Sequence, residues 1–222
     1  MGGRRGTAAR PVTSKGERRG VFVTLEGGEH AGKSTQHEAL LRLVRDAGRE
    51  AVACREPGGT ALGERLRDAL FATKKDEPHP APEAELLTFN AARAQLVREV
   101  IRPALERGAI VICDRFADST VAYQQHGRGL DAALVTAAIA VATGGLVPDL
   151  TILLDVDPAE AFARAKKKTD YLEHEALDFH RRVRRGFLEL AAAEPSRWLV
   201  LDGSKPEMQI THAIWGRLQG LI

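Results

Sequence analysis

The feature that most constrains the fold of this chain is a glycine-rich motif that follows a short apolar run. The run covers residues 21–26, and the eight residues after it match the pattern G-x-x-x-x-G-K-S. Residues 35–47 then carry apolar side chains at helical spacing, and Gly48 follows as a helix stop. This order predicts a strand, a phosphate-binding loop and a helix. An ordinary strand-to-helix turn is the weaker alternative, because it does not require the full pattern.

The residue types of the motif suit the binding of a nucleoside triphosphate. Glycines allow successive backbone N–H groups to approach phosphate oxygens, and the helix N-terminus adds a partial positive charge. We predict that Lys33 reaches the β- and γ-phosphates and that the Ser34 hydroxyl ligates Mg²⁺. The predicted nucleotide-binding residues are Gly27, Gly28, Glu29, His30, Ala31, Gly32, Lys33, Ser34 and Thr35.

Short apolar runs alternate with longer stretches of helical spacing along the rest of the chain. Strands are predicted at residues 21–26, 51–54, 109–114, 150–156 and 198–201. Helices are predicted at residues 35–47, 63–71, 84–107, 131–143, 158–167, 173–192 and 206–218. Several strands are apolar at nearly every position, which is typical of strands that are covered on both faces. The pattern therefore predicts an α/β fold with a parallel sheet between helices.

Composition favours one domain over residues 21–222. Acidic and basic groups nearly cancel, to a net charge of +2, which is not the balance of a general nucleic-acid binder. No apolar stretch approaches the roughly 20 residues of a membrane span, and the N-terminus lacks a secretory signal, so we expect a cytoplasmic protein. Cys54 and Cys113 each end an apolar run, and we expect buried, reduced thiols rather than metal ligands.

The first 20 residues differ from the rest of the chain. They carry six basic side chains against one acidic side chain, and they show no apolar periodicity. We predict a disordered basic tail, because such a segment cannot bury enough apolar surface to fold. Weak contact with nucleic acid and a targeting role are the alternatives for this tail.

Charged residues beside strand ends and turns indicate a second, phosphorylated substrate. Asp114 ends a buried strand, so it emerges at the same sheet edge as the phosphate loop and can hold the hydration shell of Mg²⁺ or hydrogen-bond the loop. A simple strand-end cap is the alternative role for Asp114. Guanidinium groups suit phosphate monoesters. Four arginines lie beside turn or strand-end signals, and any one of them alone would be an ordinary surface residue. Together with the phosphate loop they suggest an acceptor-phosphate site: Arg55, Arg93, Arg115 and Arg128.

Residues 21–203 resemble the thymidylate kinases, P-loop enzymes that move the γ-phosphate of ATP to dTMP. The segments that carry the resemblance are EGGEHAGKST, REPGGT, LLTFNAARAQ, DRFADSTVAYQ and PDLTILLDVDP, and their order and spacing are specific. The resemblance implies a three-layer α/β/α P-loop kinase fold whose five-stranded parallel sheet has the order 2-3-1-4-5. It also implies ATP and Mg²⁺ as cofactors, dTMP as the acceptor and a homodimer packed through helices.

The resemblance further implies roles for individual residues. Phe89 would stack on the thymine ring, and Glu29 would approach the sugar or its network of water and Mg²⁺. The dTMP phosphate would be held by Arg55, Arg93 and Arg115. The pocket for the base and the deoxyribose would be lined by Ser119, Thr120, Tyr123 and Gln124, with Thr120 at the base edge. The implied catalytic residues are Lys33, Arg115, Glu29 and Arg164, and the implied metal ligands are Ser34 and Asp114.

Two positions depart from the pattern of the related enzymes. His30 replaces the glycine or arginine that is typical of the loop; we expect its side chain to point to solvent, with a pH-dependent charge beside the phosphates as the alternative. The flexible lid corresponds to residues 164–173, where Tyr171 stands in place of a common arginine. These departures leave a catalytically impaired nucleotide-binding protein open as an alternative. A second alternative is another enzyme of the same architecture, namely a deoxynucleoside kinase or a kinase for another (deoxy)nucleoside monophosphate.

Overall fold

The predicted strands form a five-stranded parallel sheet in the computed structural model, which describes residues 19–71, 79–164 and 171–222. The strands are β1 Val21–Glu26, β2 Ala51–Arg55, β3 Ile110–Asp114, β4 Leu150–Asp155 and β5 Trp198–Asp202. Their order is β2-β3-β1-β4-β5, so the predicted sheet order is confirmed. The central strands β1, β3 and β4 are buried almost throughout, as covered parallel strands must be.

Helices cover both faces of this sheet. The α-helices are α1 Lys33–Asp46, α2 Ala61–Phe71, α3 Pro82–Leu96, α4 Arg102–Glu106, α5 Ala117–Thr120, α6 Ala132–Thr143, α7 Pro158–Arg164, α8 Leu177–Ala193 and α9 Glu207–Gln219. A π-helical segment, Val97–Ile101, joins α3 to α4, and a second one, Val121–Gly127, continues α5.

Alternating side chains of β1 assign the helices to two layers. Val23 and Leu25 belong to a core cluster that includes Leu40 of α1 and Ile214 of α9. Phe22 points the other way, into a cluster with the end of α3 and the π-helical segment after it. Because successive strand residues face opposite sides of a sheet, these clusters lie on its two faces. The three-layer α/β/α arrangement is therefore confirmed.

The strand register brings the carboxyl ends of β1, β2 and β3 to one edge of the sheet. Cys54 pairs with Cys113, so the two strands that end near these cysteines are neighbours, as predicted. Both thiols are buried and free. Leu25 pairs with Asp114, and the backbone N–H of Arg115 donates to the Leu25 carbonyl oxygen at 3.0 Å. The phosphate loop after β1 and the segment after β3 therefore begin next to each other at this edge of the sheet.

Most helices begin within two residues of the predicted start, and two of the differences have a clear structural cause. α1 begins at Lys33, two residues before the predicted start, because its first turn is part of the phosphate loop. α8 begins at Leu177 rather than at residue 173, because the turn before it packs Tyr171 and Leu172 into the interior. α7 ends at Arg164, and the predicted continuation of that helix to residue 167 lies outside the described residues.

The helical stretch from Ala117 to Gly127 was not predicted at all. Its sequence contains β-branched and hydroxyl side chains, which lower helix propensity. Tertiary packing overrides this preference, since the segment lies against α8: a Cβ at Gly127 would be 2.7 Å from the ring of Phe179. A contact with a helix that is distant in the chain cannot be predicted from the local sequence.

The predicted basic tail, residues 1–20, falls almost wholly outside the described residues. Its last two residues are described, and there Arg19 forms an ion pair with Asp149. The other carboxylate oxygen of Asp149 accepts from the backbone N–H of Phe22 at 2.9 Å. In the parts of the chain that the structure describes, no helix has the length and apolar character needed to cross a bilayer.

Leu40→Ala tests the packing of α1 on the sheet. Leu40 is fully buried between α1 and β1, so its truncation is expected to lower the free energy of unfolding by about 2 to 5 kcal/mol. Urea unfolding monitored by circular dichroism measures this change. Met208→Ala on α9, where the side chain is 69% exposed, is the control and should change the free energy by less than about 0.5 kcal/mol. Equal effects of the two variants would contradict the assignment of this core.

Candidate active site

The phosphate loop joins β1 to α1 through backbone conformations that favour glycine. Gly27 has a φ of +139°, and a Cβ at this position would lie 2.5 Å from the carbonyl oxygen of Leu154. Gly32 has a φ of 92° and precedes α1 without a side-chain cap. The first residues of α1 line a cavity, so their N–H groups and the positive end of the helix are available to phosphate oxygens.

The ammonium group of Lys33 lies inside the loop. Its Nζ donates to the carbonyl oxygens of Gly27 and Gly28, at 3.1 and 2.7 Å. Burial and the charge of Arg115 lower the pKa of Lys33, against the opposing effect of nearby carboxylates. Phosphate oxygens in the loop could replace these carbonyl oxygens as partners of the ammonium group, and this is the exchange that the predicted role of Lys33 requires.

Arg115 follows β3 directly and reaches back to the phosphate loop. Its backbone is left-handed, with a φ of 69°. Its Nη1 donates to the Gly27 carbonyl oxygen at 3.0 Å and to Ser119 Oγ at 3.3 Å, while Nη2 donates to Glu29 Oε1 at 2.7 Å. One guanidinium group therefore connects the loop to the helical stretch after β3.

Glu29 is the negative partner of this arrangement. Its Oε1 accepts from the Tyr123 hydroxyl at 2.6 Å as well as from Arg115. Burial opposes the ionisation of Glu29, but the charges of Arg115 and Lys33 outweigh it and lower the pKa of this carboxyl to about 2. Glu29 is thus a fixed anion near neutral pH, suited to accepting hydrogen bonds and not to taking up a proton.

Asp114 and Ser34 form a small oxygen-rich site at the end of β3. Ser34 Oγ lies 3.5 Å from Asp114 Oδ2, and Asp114 Oδ1 is buried without a hydrogen-bond partner. Such oxygens suit Mg²⁺, which takes one or two protein ligands and completes its shell with phosphates and water. Over the described residues, no cluster of three or more His, Cys, Asp or Glu side chains could hold a metal by itself.

Glu26, the last residue of β1, received no role from the sequence. Its carboxyl is fully buried and accepts from the backbone N–H of Phe116 at 2.8 Å and from the Ser119 hydroxyl at 2.5 Å. Burial, reinforced by the charge of Asp118, raises the pKa of Glu26 to about 8. A carboxylate at the end of a buried, mostly apolar strand was the signal that could have identified it.

Arg93 is 1% exposed and is bound within the protein. All five of its N–H donors are used, by Glu56 Oε2 (at 2.8 and 2.6 Å), by Asn90, by Thr120 and by the Phe116 carbonyl oxygen. The predicted contact of Arg93 with the acceptor phosphate would require one of these bonds to break. In this structure Arg93 is therefore a residue that positions its neighbours.

Arg55 and Arg128 differ in their access to the site. Arg55 lines the cavity and donates to Glu64 at 2.7 Å and to the Pro57 carbonyl oxygen at 3.0 Å. Arg128 instead forms ion pairs with Glu85 and Glu175. The interpretation of Arg128 as part of an acceptor-phosphate site was therefore wrong, because its guanidinium group is held by these two carboxylates.

The predicted site residues converge on one cavity of about 540 Å³. Those that line it are Glu29, His30, Ala31, Gly32, Lys33, Ser34, Thr35, Arg55, Phe89, Arg93, Asp114, Arg115, Ser119, Thr120, Tyr123, Gln124 and Arg164. Gly27 and Gly28 belong to the loop through the carbonyl oxygens that bind Lys33. The cavity is also lined by residues that sequence reasoning missed, namely Glu56, Pro57, Arg67, Phe71, Leu172 and Glu173.

His30 lines the cavity within the phosphate loop, and the alternative that it carries a pH-dependent charge beside the phosphates stays a prediction. Its φ is 56°, and its side chain is partly buried with Nε2 3.5 Å from Glu173 Oε1. The imidazole also packs edge-on against Phe162 of α7, with ring centroids 5.5 Å apart. The expectation that His30 points to solvent was wrong, because its ring packs on Phe162 before the predicted lid and its Nε2 lies near Glu173 at the end of the lid.

Sheet order, loop and cavity together define a P-loop phosphotransferase. The family model for thymidylate kinase matches residues 25–214. Thymidylate kinase from Deinococcus radiodurans is 52% identical over 198 residues, which are 88% of this chain and 95% of that protein. Thymidylate kinase from Clavibacter michiganensis subsp. michiganensis is 50% identical over 206 residues, with 91% and 96% of the two chains covered.

A solved structure agrees with these sequence matches. The crystal structure of thymidylate kinase from Ehrlichia chaffeensis has a TM-score of 0.74 and 33% identity, and covers 90% of this chain and 98% of that one. The chain belongs to the thymidylate kinase family. It is accordingly a phosphotransferase with dTMP as the acceptor, and the family uses ATP as the phosphate donor. The two alternatives raised by the sequence, another monophosphate kinase and an impaired homologue, find no support in these matches.

Glu26→Gln tests the raised pKa of this buried carboxyl. Between the ordinary value of 4.5 and about 8, the folded protein holds a proton on Glu26 that the unfolded chain lacks, so stability falls as the pH rises through this window. The variant cannot titrate there. Its free energy of unfolding, relative to that of the wild type, is expected to be about 1 to 4 kcal/mol more favourable at pH 8 than at pH 5.

Urea unfolding of both proteins at the two pH values measures this difference. Glu38→Gln, a change of the same kind on the exposed side of α1, is the matched control and should show no such difference. A relative stability of Glu26→Gln that does not depend on pH would show that Glu26 is ionised throughout the window.

Proposed function

We propose that the cavity binds the two substrates on opposite sides of Arg115. The observation that carries this proposal is the set of contacts of its guanidinium group, which joins Gly27 of the phosphate loop to Ser119 of the helical stretch after β3. The phosphates of ATP would bind the loop side, and the phosphate of dTMP would bind the side of Ser119 and Arg55. A cation between the two groups can neutralise the charge that develops during phosphoryl transfer.

The metal site would be formed by Ser34 and Asp114. The buried oxygen of Asp114 that lacks a partner supports this assignment. When bound, Mg²⁺ would neutralise the phosphates and orient them for in-line transfer. Lys33 would hold the β- and γ-phosphates from the other side of the loop. The acceptor phosphate is already an anionic nucleophile, so no residue is assigned as a general base.

The base and sugar of dTMP would bind between α3 and the helical stretch from residue 117 to 127. Phe89 of α3 supplies an aromatic face for the thymine ring. Thr120 accepts a hydrogen bond from Arg93 at 2.9 Å, which leaves its own hydroxyl hydrogen for an acceptor on the base. The Tyr123 hydroxyl donates a hydrogen bond to Glu29. Both side chains would lie beside the deoxyribose, where Glu29 would accept a hydrogen bond from a sugar hydroxyl.

Arg164 would contribute a charge from the lid. It lines the cavity at the end of α7 and forms an ion pair with Glu160, one turn earlier. We propose that residues 164–173 close over the bound substrates and exclude water, which would suppress hydrolysis of ATP. Residues 165–170 lie outside the described residues, so this lid stays a prediction. The predicted cytoplasmic location likewise stays a prediction.

Lys33→Ala tests the proposal that the loop side of the cavity binds the phosphates of ATP. The variant is expected to lose about 10² to 10³ in kcat, because a cation that contacts the transferring phosphates is removed. ADP release should be measured with dTMP, dUMP, UMP, CMP and thymidine as acceptors, for the wild type and the variant. Arg42→Ala on the exposed side of α1 is the control for the loss of a positive charge near the helix. Undiminished turnover in Lys33→Ala would refute the phosphate-binding role, and a preferred acceptor other than dTMP would refute the base pocket.

The homodimer implied by the resemblance would use α3 and α6. These helices pack against each other, and only three residues of α6 are buried, although its sequence is almost wholly apolar. Large apolar side chains are exposed on both, including Leu87 of α3 and, at 84% exposure, Val141 of α6. Large exposed apolar side chains on two adjacent helices are typical of protein–protein interfaces. A second copy of this chain is the proposed partner.

Val141→Asp tests this interface. A charge at the centre of an apolar contact would be buried without a partner, so the variant is expected to shift from dimer to monomer. Size-exclusion chromatography with light scattering measures the mass. Met208→Asp on the exposed side of α9 should keep the mass of the wild type. A monomeric wild type, or a dimeric Val141→Asp variant, would contradict the proposed interface.

A further inference from the structure

Glu85 of α3 is a buried carboxylate that no step of the reaction uses. It is fully buried, and both of its oxygens accept hydrogen bonds. Oε1 accepts from Gln124 Nε2 at 2.6 Å, and Oε2 accepts from the Tyr171 hydroxyl at 2.7 Å. Arg128 donates to both oxygens, at 3.3 and 3.0 Å. The carboxylate thus gathers three donor side chains from two segments of the chain, the helical stretch with its C-cap Arg128 and the turn at Tyr171.

The bond to Gln124 determines which end of that amide points away from Glu85. A carboxylate oxygen accepts hydrogen bonds and has no hydrogen to give, so the NH₂ group of Gln124 must be the end that faces it. The carbonyl oxygen is then the group that the amide can offer to its other side. Gln124 lines the substrate cavity, whereas Glu85 is inaccessible to a ligand. Of the three side chains that donate to Glu85, Gln124 is the one that lines the cavity, so it is the direct route from Glu85 to a bound base.

An amide fixed in this way distinguishes pyrimidine bases by their hydrogen-bonding edge. Thymine and uracil carry a hydrogen on ring nitrogen N3, which a carbonyl oxygen accepts, whereas cytosine presents an acceptor at N3. Two acceptors facing each other in a buried site leave both unsatisfied, which is a strong basis for rejection.

We propose that Glu85 is a positioning residue that fixes the amide of Gln124 with its carbonyl oxygen toward the base, and that it thereby selects thymine over cytosine. The inference rests on the proposed function in one respect, namely the placement of the base beside Gln124. It adds a residue outside the cavity and a physical reason for the choice of base. It also predicts no preference between thymine and uracil from this pair, since both carry the N3 hydrogen.

Glu85→Gln is the decisive variant, because it keeps the shape of the side chain and changes only its polarity. The one carbonyl oxygen of the new amide should take the place of Oε2, because Tyr171 donates there and Arg128 is closer to this oxygen, at 3.0 Å, than to Oε1, at 3.3 Å. The side chain of Gln124 can turn over to accommodate the new amide at the other position. The NH₂ group of the new amide would then face Gln124, whose amide would turn over and present its own NH₂ group to the base. The ratio of kcat/KM for dTMP to kcat/KM for dCMP is expected to fall by about 10- to 100-fold.

Glu175→Gln is the matched control. Glu175 is the second carboxylate partner of Arg128, so this variant makes the same chemical change and removes the same charge near the same guanidinium group. It leaves the bond between Glu85 and Gln124 in place. The dTMP to dCMP ratio should therefore equal that of the wild type. A fall of equal size in Glu175→Gln would overturn the proposal, because a general loss of charge would then explain the effect.

Gln124→Met separates a failure of this inference from a failure of the base pocket. If the ratio is unchanged in Gln124→Met, the base does not lie beside Gln124, and the pocket assignment and the inference fall together. If the ratio collapses in Gln124→Met but is kept in Glu85→Gln, the pocket stands and the role of Glu85 is refuted. A parallel loss of activity toward dTMP and dCMP in Glu85→Gln also refutes it, because that outcome marks a purely structural residue.

A measurement on the wild-type protein covers the case in which Glu85→Gln does not fold. The side-chain amide resonances of Gln124, identified by their loss in Gln124→Met, are followed by ¹⁵N NMR with and without dTMP. One amide hydrogen is expected to stay protected from exchange with water in both states, because it remains bonded to Glu85. Loss of that protection on binding dTMP would mean that the NH₂ group turns to the base, and this would overturn the proposal.

Discussion

The carboxyl of Glu26 is the interaction on which the geometry of the site depends. It lies at the end of β1 and accepts from the backbone of Phe116 and the hydroxyl of Ser119, which follow β3. The phosphate loop starts at the end of β1, and the helical stretch that bears Tyr123 starts just after β3. Burial of this group opposes ionisation, and the rise of its pKa to about 8 reflects that cost. The fold tolerates the cost because the same bonds fix the distance between the two walls of the cavity.

The cations around the cavity are held by carboxylates or carbonyl oxygens of the protein before any substrate binds. Arg115 is held by Glu29, Arg93 by Glu56, and Lys33 by the carbonyl oxygens of its own loop. Each cation is therefore positioned by the protein, and such preorganisation is a condition for strong electrostatic stabilisation of a transition state. Arg93 differs from the other two, because it could meet a phosphate only by giving up one of its five hydrogen bonds. The near-neutral net charge is consistent with this local balance.

The sequence predicted the parts of the site that are contiguous in the chain or tied to strand ends. The residues from Gly27 to Thr35 form one loop, and Asp114 and Arg115 follow directly from the order of parallel strands. It could not predict pairings between distant segments, such as those of Arg128 with Glu85 or of His30 with Glu173.

The helical stretch after Phe116 escaped prediction for the same reason. Its local propensities oppose a helix, and contacts with α8 decide its conformation. Arg93 shows the limit most directly: its residue type suggests a phosphate ligand, whereas its five donors are taken by neighbours that only the fold brings together.

Arg115 and His30 are the non-glycine residues with positive φ in the described parts of the chain, and both line the cavity. A left-handed conformation costs a residue with a Cβ roughly 1 kcal/mol or more, so the protein keeps local strain beside the cavity. Substitution of either residue by glycine would relieve the backbone strain. It would also remove the side chain whose position this backbone conformation determines. Attempts to make this enzyme more heat-resistant should therefore seek their gains in the helical layers, because glycine at either position would remove a side chain that lines the cavity.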